Sequence, residues 1–154
     1  MIYVRNTTRK YALPLRRIER TTRALLTAIG RPESSLSLTF VGDAAMRRLN
    51  REHRGYDRST DVLSFPFYAP FRVPTTRRAD GAELLLGDIV ISVDVAARQA
   101  RAYDATLEAE ITRLLVHGVA HLLGHDHEQP RERVRMLQQE KKLAAAVGLV
   151  WPFP

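Results

Sequence analysis

Residues 117–127 read His117-Gly118-Val119-Ala120-His121-Leu122-Leu123-Gly124-His125-Asp126-His127 and hold four of the chain's five histidines. Upstream, Leu107, Ile111, Leu114, Leu115, Gly118 and Leu122 recur at steps of three and four. That period predicts an amphipathic, largely buried helix from about Thr106 to Leu123. On it His117 and His121 stand one turn apart on one face, the separation at which two imidazoles can share a metal ion. Gly124 can take the left-handed conformation that ends a helix, so His127 can return from a loop to the same point. The expected ligands are His117, His121 and His127. His125 is an alternative to His127, a proton-transfer group or a cleft wall. Asp126 reads equally as the partner of a ligand's second ring nitrogen or as a surface turn residue.

Three neutral ligands leave a tetrahedral ion one open position, the arrangement of catalytic zinc sites, where a bound water ionises near pH ~7. Hydrolysis is the chemistry implied. The spacing H-x-x-x-H-x-x-G-x-x-H also belongs to metzincin proteases, which carry a glutamate general base directly after the first histidine. Gly118 stands there in this chain, so peptidase chemistry lacks its base.

At 154 residues the chain suits one domain, 1–154, with one core. It is 45% hydrophobic, and no run approaches the ~18 apolar residues of a membrane span. Met1 leads into a strand-like run rather than a signal-peptide pattern, so a cytoplasmic location is expected. With no cysteine, disulfides and thiolate ligands are excluded and metal ligation falls to imidazole and carboxylate. The net charge is +7, from 24 Lys+Arg against 17 Asp+Glu, with all but three of the cations arginine. Arginine clamps phosphates and stacks on bases, which favours a nucleic-acid partner, although compositional drift gives the same count.

In chain order, Ile2 to Asn6 reads as a strand. Pro14 precedes a helix with Leu15, Ile18, Thr22, Leu25, Leu26 and Ile29 inward and a row of Arg16, Arg17, Arg20 and Arg23 on its other face. Leu36, Leu38 and Phe40 alternate as a strand. Asp43 is expected to cap a second helix with Met46 and Leu49 inward, ending near Gly55. Leu63 and Phe65 share one side of a further strand. Residues 66–83, with three prolines, Asp80-Gly81 and basic Arg72, Arg77 and Arg78, read as a long, mobile loop or hairpin near the site. Leu84 to Ser92 is a central strand, and Ser92 caps a helix running to Arg101. Pro130 opens a last helix on which Val134, Leu137, Leu143, Ala144 and Val147 could pack, with Arg131, Arg133 and Arg135 outward. The apolar tail 149–154 could dock on the domain or on a partner. Strands and helices interleave, so the expected class is α/β to α+β: a single mixed sheet flanked by helices, with the metal site on a central helix and the loop after it.

The histidine stretch resembles the YbeY family of rRNA maturation endoribonucleases, whose pattern is close to H-G-x-x-H-L-x-G-Y-D-H. This chain departs from it at His125. The segment Arg54-Gly55-Tyr56-Asp57-Arg58-Ser59-Thr60-Asp61-Val62-Leu63-Ser64-Phe65-Pro66 resembles the family's second pattern, Y-R-x-x-D-x-x-T-[DN]-V-L-S-F-P, with His53 and Ser59 where tyrosine and proline are common. Gly87-Asp88-Ile89 resembles a third. The resemblance covers about half the chain. It implies a zinc-dependent, single-strand-specific endoribonuclease acting in 16S rRNA maturation and ribosome quality control, with one Zn2+ on His117, His121 and His127. Arg54 maps onto the family's functional arginine, beside the scissile phosphate; taken alone it would be a helix-end cation offsetting the dipole. The implied partners are single-stranded rRNA and the small subunit or its assembly factors, with no membrane. The general base stays open among His125, Asp126 and the metal hydroxide. Two rivals remain: an RNA-binding assembly factor with a structural metal, and a metallohydrolase of another class such as a peptidase.

Overall fold

The computed structural model describes residues 1–74 and 80–151. Arg77, Arg78 and the last three residues of the apolar tail lie outside them. The described chain runs β1 (Ile2–Asn6), α1 (Leu15–Ala28), β2 (Ser35–Val41), α2 (Asp43–Arg54), β3 (Val62–Pro66), β4 (Leu85–Ser92), α3 (Val93–Ala102), α4 (Leu107–Leu123) and α5 (Pro130–Ala146). The strands form one sheet in the order β1-β2-β4-β3. β1 and β4 both run parallel to β2, while β3 pairs antiparallel with β4 at one edge. The sheet is therefore mixed and the fold α+β.

Side chains alternate across each strand, so the sheet has two apolar faces to cover. Leu36, Leu38 and Phe40 of β2 and Ile89 and Ile91 of β4 face α1 and α4, meeting Leu25, Leu26, Ile111, Leu114, Leu115 and Leu122 in the main core. On the opposite face Val41, Leu63 and Val90 pack against Met46 of α2. α4 is buried on most sides, which explains why its sequence is apolar around much of its circumference. Thr106 caps it, its side chain accepting from the Ala109 N–H at 3.1 Å, and Ser92 caps α3 by accepting from Val95 N–H at 3.2 Å.

Two expectations about helices need correction. α2 is capped by Gly42, not by Asp43, whose carboxylate instead takes two bonds from the Arg98 guanidinium at 2.8 and 2.9 Å. The acceptor at that helix start is Asp94 of α3, whose Oδ2 receives the Asp43 N–H at 2.9 Å. In α5, Val134 is 56% exposed, and the buried face is Met136, Glu140, Leu143 and Ala144. The arginine row on α1 is partly structural: Arg17 pairs with Glu108 at 3.0 Å, and Arg23 donates to the Pro32 and Ser34 carbonyls. In the tail, Trp151 packs against the main core while Val150 is exposed.

Candidate metal centre

Gly118 sets how close α4 lies to the sheet. A Cβ there would sit 3.0 and 3.1 Å from Ile89 side-chain carbons and 3.3 Å from Ser64 Oγ. A side chain at that position would press on Ile89 and Ser64, so the close packing of α4 on the sheet favours glycine where the proteases carry their base. At the other end Gly124 takes φ +112 and closes α4, its N–H bonding the His121 carbonyl at 3.0 Å. The chain then turns so that His127 comes back to the face of His117 and His121.

One nitrogen from each of these three rings lies within 4.8 Å of the other two. The rings of His117 and His121 are 4.7 Å apart, and that of His127 is 5.9 and 5.5 Å from them. His117 Nδ1 lies 2.9 Å from Glu140 Oε2, and the glutamate is buried in α5. A carboxylate only accepts, so Nδ1 carries the proton and Nε2 the lone pair. That Nε2 faces His121 Nε2 at 3.1 Å. Two ligands on ~2.0–2.1 Å bonds at a tetrahedral angle would lie about 3.3 Å apart. A single shared proton would satisfy this pair alone; one cation would satisfy all three rings, so the donor set fits a metal ion.

Burial, then the neighbouring His117 and His127, then Arg54, hold the His121 pKa down to about 4, which keeps its ring neutral and able to ligate at physiological pH. His127 is more exposed. Its N–H donates to Asp126 Oδ1 at 2.7 Å, its ring Nδ1 is 3.5 Å from the same oxygen, and Arg133 Nε donates to its carbonyl at 3.3 Å. Asp126 thus closes the turn and stands beside the ring. His125 stands apart from the trio, edge-on to Phe71 at 5.1 Å, its pKa lowered by burial.

His121 and His127 open into a cleft of about 600 Å³ that is also lined by Arg54, Tyr56, Ser64 and Tyr68. Arg54 reaches it from the last turn of α2, beside the β3 edge; Gly55 ends that helix at φ +76. His125 and Asp126 line it too. Asp88 lies in a separate groove on the α2 side of the sheet, with His53 and Phe65. The residue sequence reasoning missed is Glu140. Its signal was a charged residue at a core step of α5, between Met136 and Leu143.

Among known proteins, the chain is 47% identical over 135 residues to Endoribonuclease YbeY of Anaeromyxobacter sp. (strain Fw109-5), covering 88% of this chain and 66% of that protein. It is 48% identical over 129 residues to the Myxococcus xanthus protein of the same name, covering 83% and 42%. With the Aquifex aeolicus protein of that name, identity is 41% over 123 residues, covering 80% and 76%. The chain thus spans about two thirds or less of the length of the first of these relatives. A solution structure of a Thermotoga maritima protein shares the fold, with TM-score 0.64 over 96% of this chain and 89% of that one at 23% identity. The profile of the family described as Endoribonuclease YbeY matches residues 3–148, and with relatives this similar the chain belongs to the YbeY family.

Proposed function

We propose that the protein is a metal-dependent endoribonuclease that hydrolyses phosphodiester bonds in single-stranded RNA, with small-subunit (16S) rRNA in maturation and quality control as its substrate, in the cytoplasm. The observation that carries the reading is the convergence of His117, His121 and His127, two of which, His121 and His127, open into a cleft that also holds Arg54. The relatives' shared name gives the reaction class. Zinc is the ion that best suits three neutral imidazoles, and when bound it would supply a Lewis acid and a water that ionises near pH ~7.

The chain's own groups divide the remaining work. Glu140 fixes the His117 tautomer, so that Nε2 faces the site. Arg54 presents a planar fork to the scissile phosphate and offsets the charge that develops on its oxygens. Tyr56 and Tyr68 give the cleft aromatic walls suited to bases in an unpaired strand. His125 and Asp126 stand in the cleft as groups able to take up a proton, and the lowered His125 pKa leaves that ring unprotonated at neutral pH. His127 is exposed at the cleft mouth, which suits an ion with an open position better than the closed shell of a structural metal.

Cleavage of labelled single-stranded RNA, duplex RNA and a peptide by the wild type and by Arg54→Ala tests the reading. The single strand should be cut, the duplex and peptide spared, and Arg54→Ala should lower kcat by about 10²–10³ with the fold intact. Peptide hydrolysis, or RNA binding without turnover in the wild type, would transfer the site to one of the rivals.

A further inference from the structure

Phe71 is an apolar ring that the fold holds in the open. It is 65% exposed, and its backbone sits at φ +58, a region that bulky residues rarely adopt. Its N–H donates to the Leu123 carbonyl at 2.9 Å, and the Arg72 N–H donates to the Ala69 carbonyl at 3.0 Å. Pro70 and Phe71 lie so close to Gly124 that a Cβ there would come within 2.6 and 2.7 Å of their backbones. The ring is thus mounted on the C-terminal end of the metal-site helix, edge-on to His125 at 5.1 Å and 90°.

His125 lines the metal cleft on one side and, on the other, a second groove of about 400 Å³. Besides Phe71 and His125, Arg135, Gln138, Gln139 and Lys142 line that groove, and no carboxylate does among the described residues. These four residues recur at steps of three, one and three, so they form one face of α5, about 10 Å long. Arg135, Gln138 and Lys142 are exposed. A fixed aromatic platform beside cations and amides is the combination that binds unpaired nucleic acid: bases stack on the ring and phosphates meet the cations. A polyanionic peptide would use the cations but leave the ring idle.

We propose that this groove is a second binding segment for single-stranded RNA, in which Phe71 stacks a base and Arg135 and Lys142 hold flanking phosphates as the strand leaves the metal cleft across His125. The inference rests on the reading of the cleft as an RNA site. It adds a direction to that site: the bound strand runs from Arg54 past the histidines towards α5.

Fluorescence anisotropy with single-stranded RNAs about 4 and about 12 nucleotides long, carrying phosphorothioate linkages to slow hydrolysis, reads the groove directly. The wild type should bind the longer RNA more tightly. Phe71→Ala should lose about tenfold in affinity for it, and with that most of the gain from length; Phe71→Tyr should restore it. Arg135→Ala/Lys142→Ala should make the slope of log affinity against log salt shallower by about 1.4, the release expected for two phosphates on a single strand. All three side chains changed are exposed, and thermal melting checks that the variants fold. A wild type that gains from length while both variants keep the full gain would overturn the groove and leave the RNA reading of the cleft standing. A wild type that binds neither RNA would overturn both.

Discussion

The Nδ1 atom of His117 lies 2.9 Å from a carboxylate that is itself buried, and a proton held there leaves Nε2 with the lone pair that a metal needs. Removing the acceptor frees the ring to choose its tautomer and rotate. Glu140→Ala should therefore weaken metal binding by about 10–100-fold, measured by competition with a chromophoric chelator. Glu140→Gln keeps an acceptor oxygen and should lose less; affinity unchanged in the alanine variant would remove Glu140 from the site. The three histidines were legible because their spacing is local: a helical turn and a glycine stop place them without knowledge of any other element. Glu140 was not, because its partner is 23 positions away and the pairing depends on how α5 packs against α4. Arg54 was singled out only through a resemblance, since a basic residue in a last helical turn ordinarily answers the helix dipole.

α4 ends where the site begins, and Gly124 makes that possible. Its φ of +112 already disfavours a side chain, and the atoms nearest an added Cβ are backbone atoms of Pro70 and Phe71, which cannot swing aside. Gly55 ends α2 at φ +76 with nothing within 4 Å of the same position. Gly124→Ala should accordingly cost roughly 3 kcal/mol, strain plus clash, while Gly55→Ala should cost about 1 kcal/mol from strain alone. Urea unfolding of the two variants checks the difference, and equal costs would mean that the loop at 67–74 yields to α4. Helix boundaries read well from sequence where the cap is local, as at Thr106, Ser92 and Gly124. They failed at α2, whose start is satisfied by Asp94 from another helix. The inward face of α5 misled for a related reason: its apolar stripe is interrupted by the buried Glu140, so the exposed Val134 looked the better core residue.

At the level of the whole molecule, the mixed, helix-flanked sheet was legible from the alternation of elements, whereas the order β1-β2-β4-β3 was not, because strand pairing is non-local. The site ties α4, the loop after it and, through Glu140, α5, so its protonation bears on global stability. Folding holds the His121 pKa near 4 against an ordinary value of 6.5, so between those pH values the unfolded chain binds more protons than the folded one. Stability of the metal-free protein should therefore be intact, as far as this group is concerned, above about pH 6.5 and fall as pH drops towards 4. Urea midpoints across that window should show the decline, and His121→Asn should flatten it; a wild-type profile already flat there would deny the burial-driven shift. The central claim is that three histidines hold a metal ion that the protein uses to cut RNA. Its most direct test is metal analysis of protein purified without added metal, paired with cleavage of a single-stranded RNA by the wild type and His121→Ala. The account predicts close to one equivalent of zinc and cleavage in the wild type, both lost in the variant. Cleavage that survives in His121→Ala, or a zinc-loaded wild type that cuts no single strand, would contradict it.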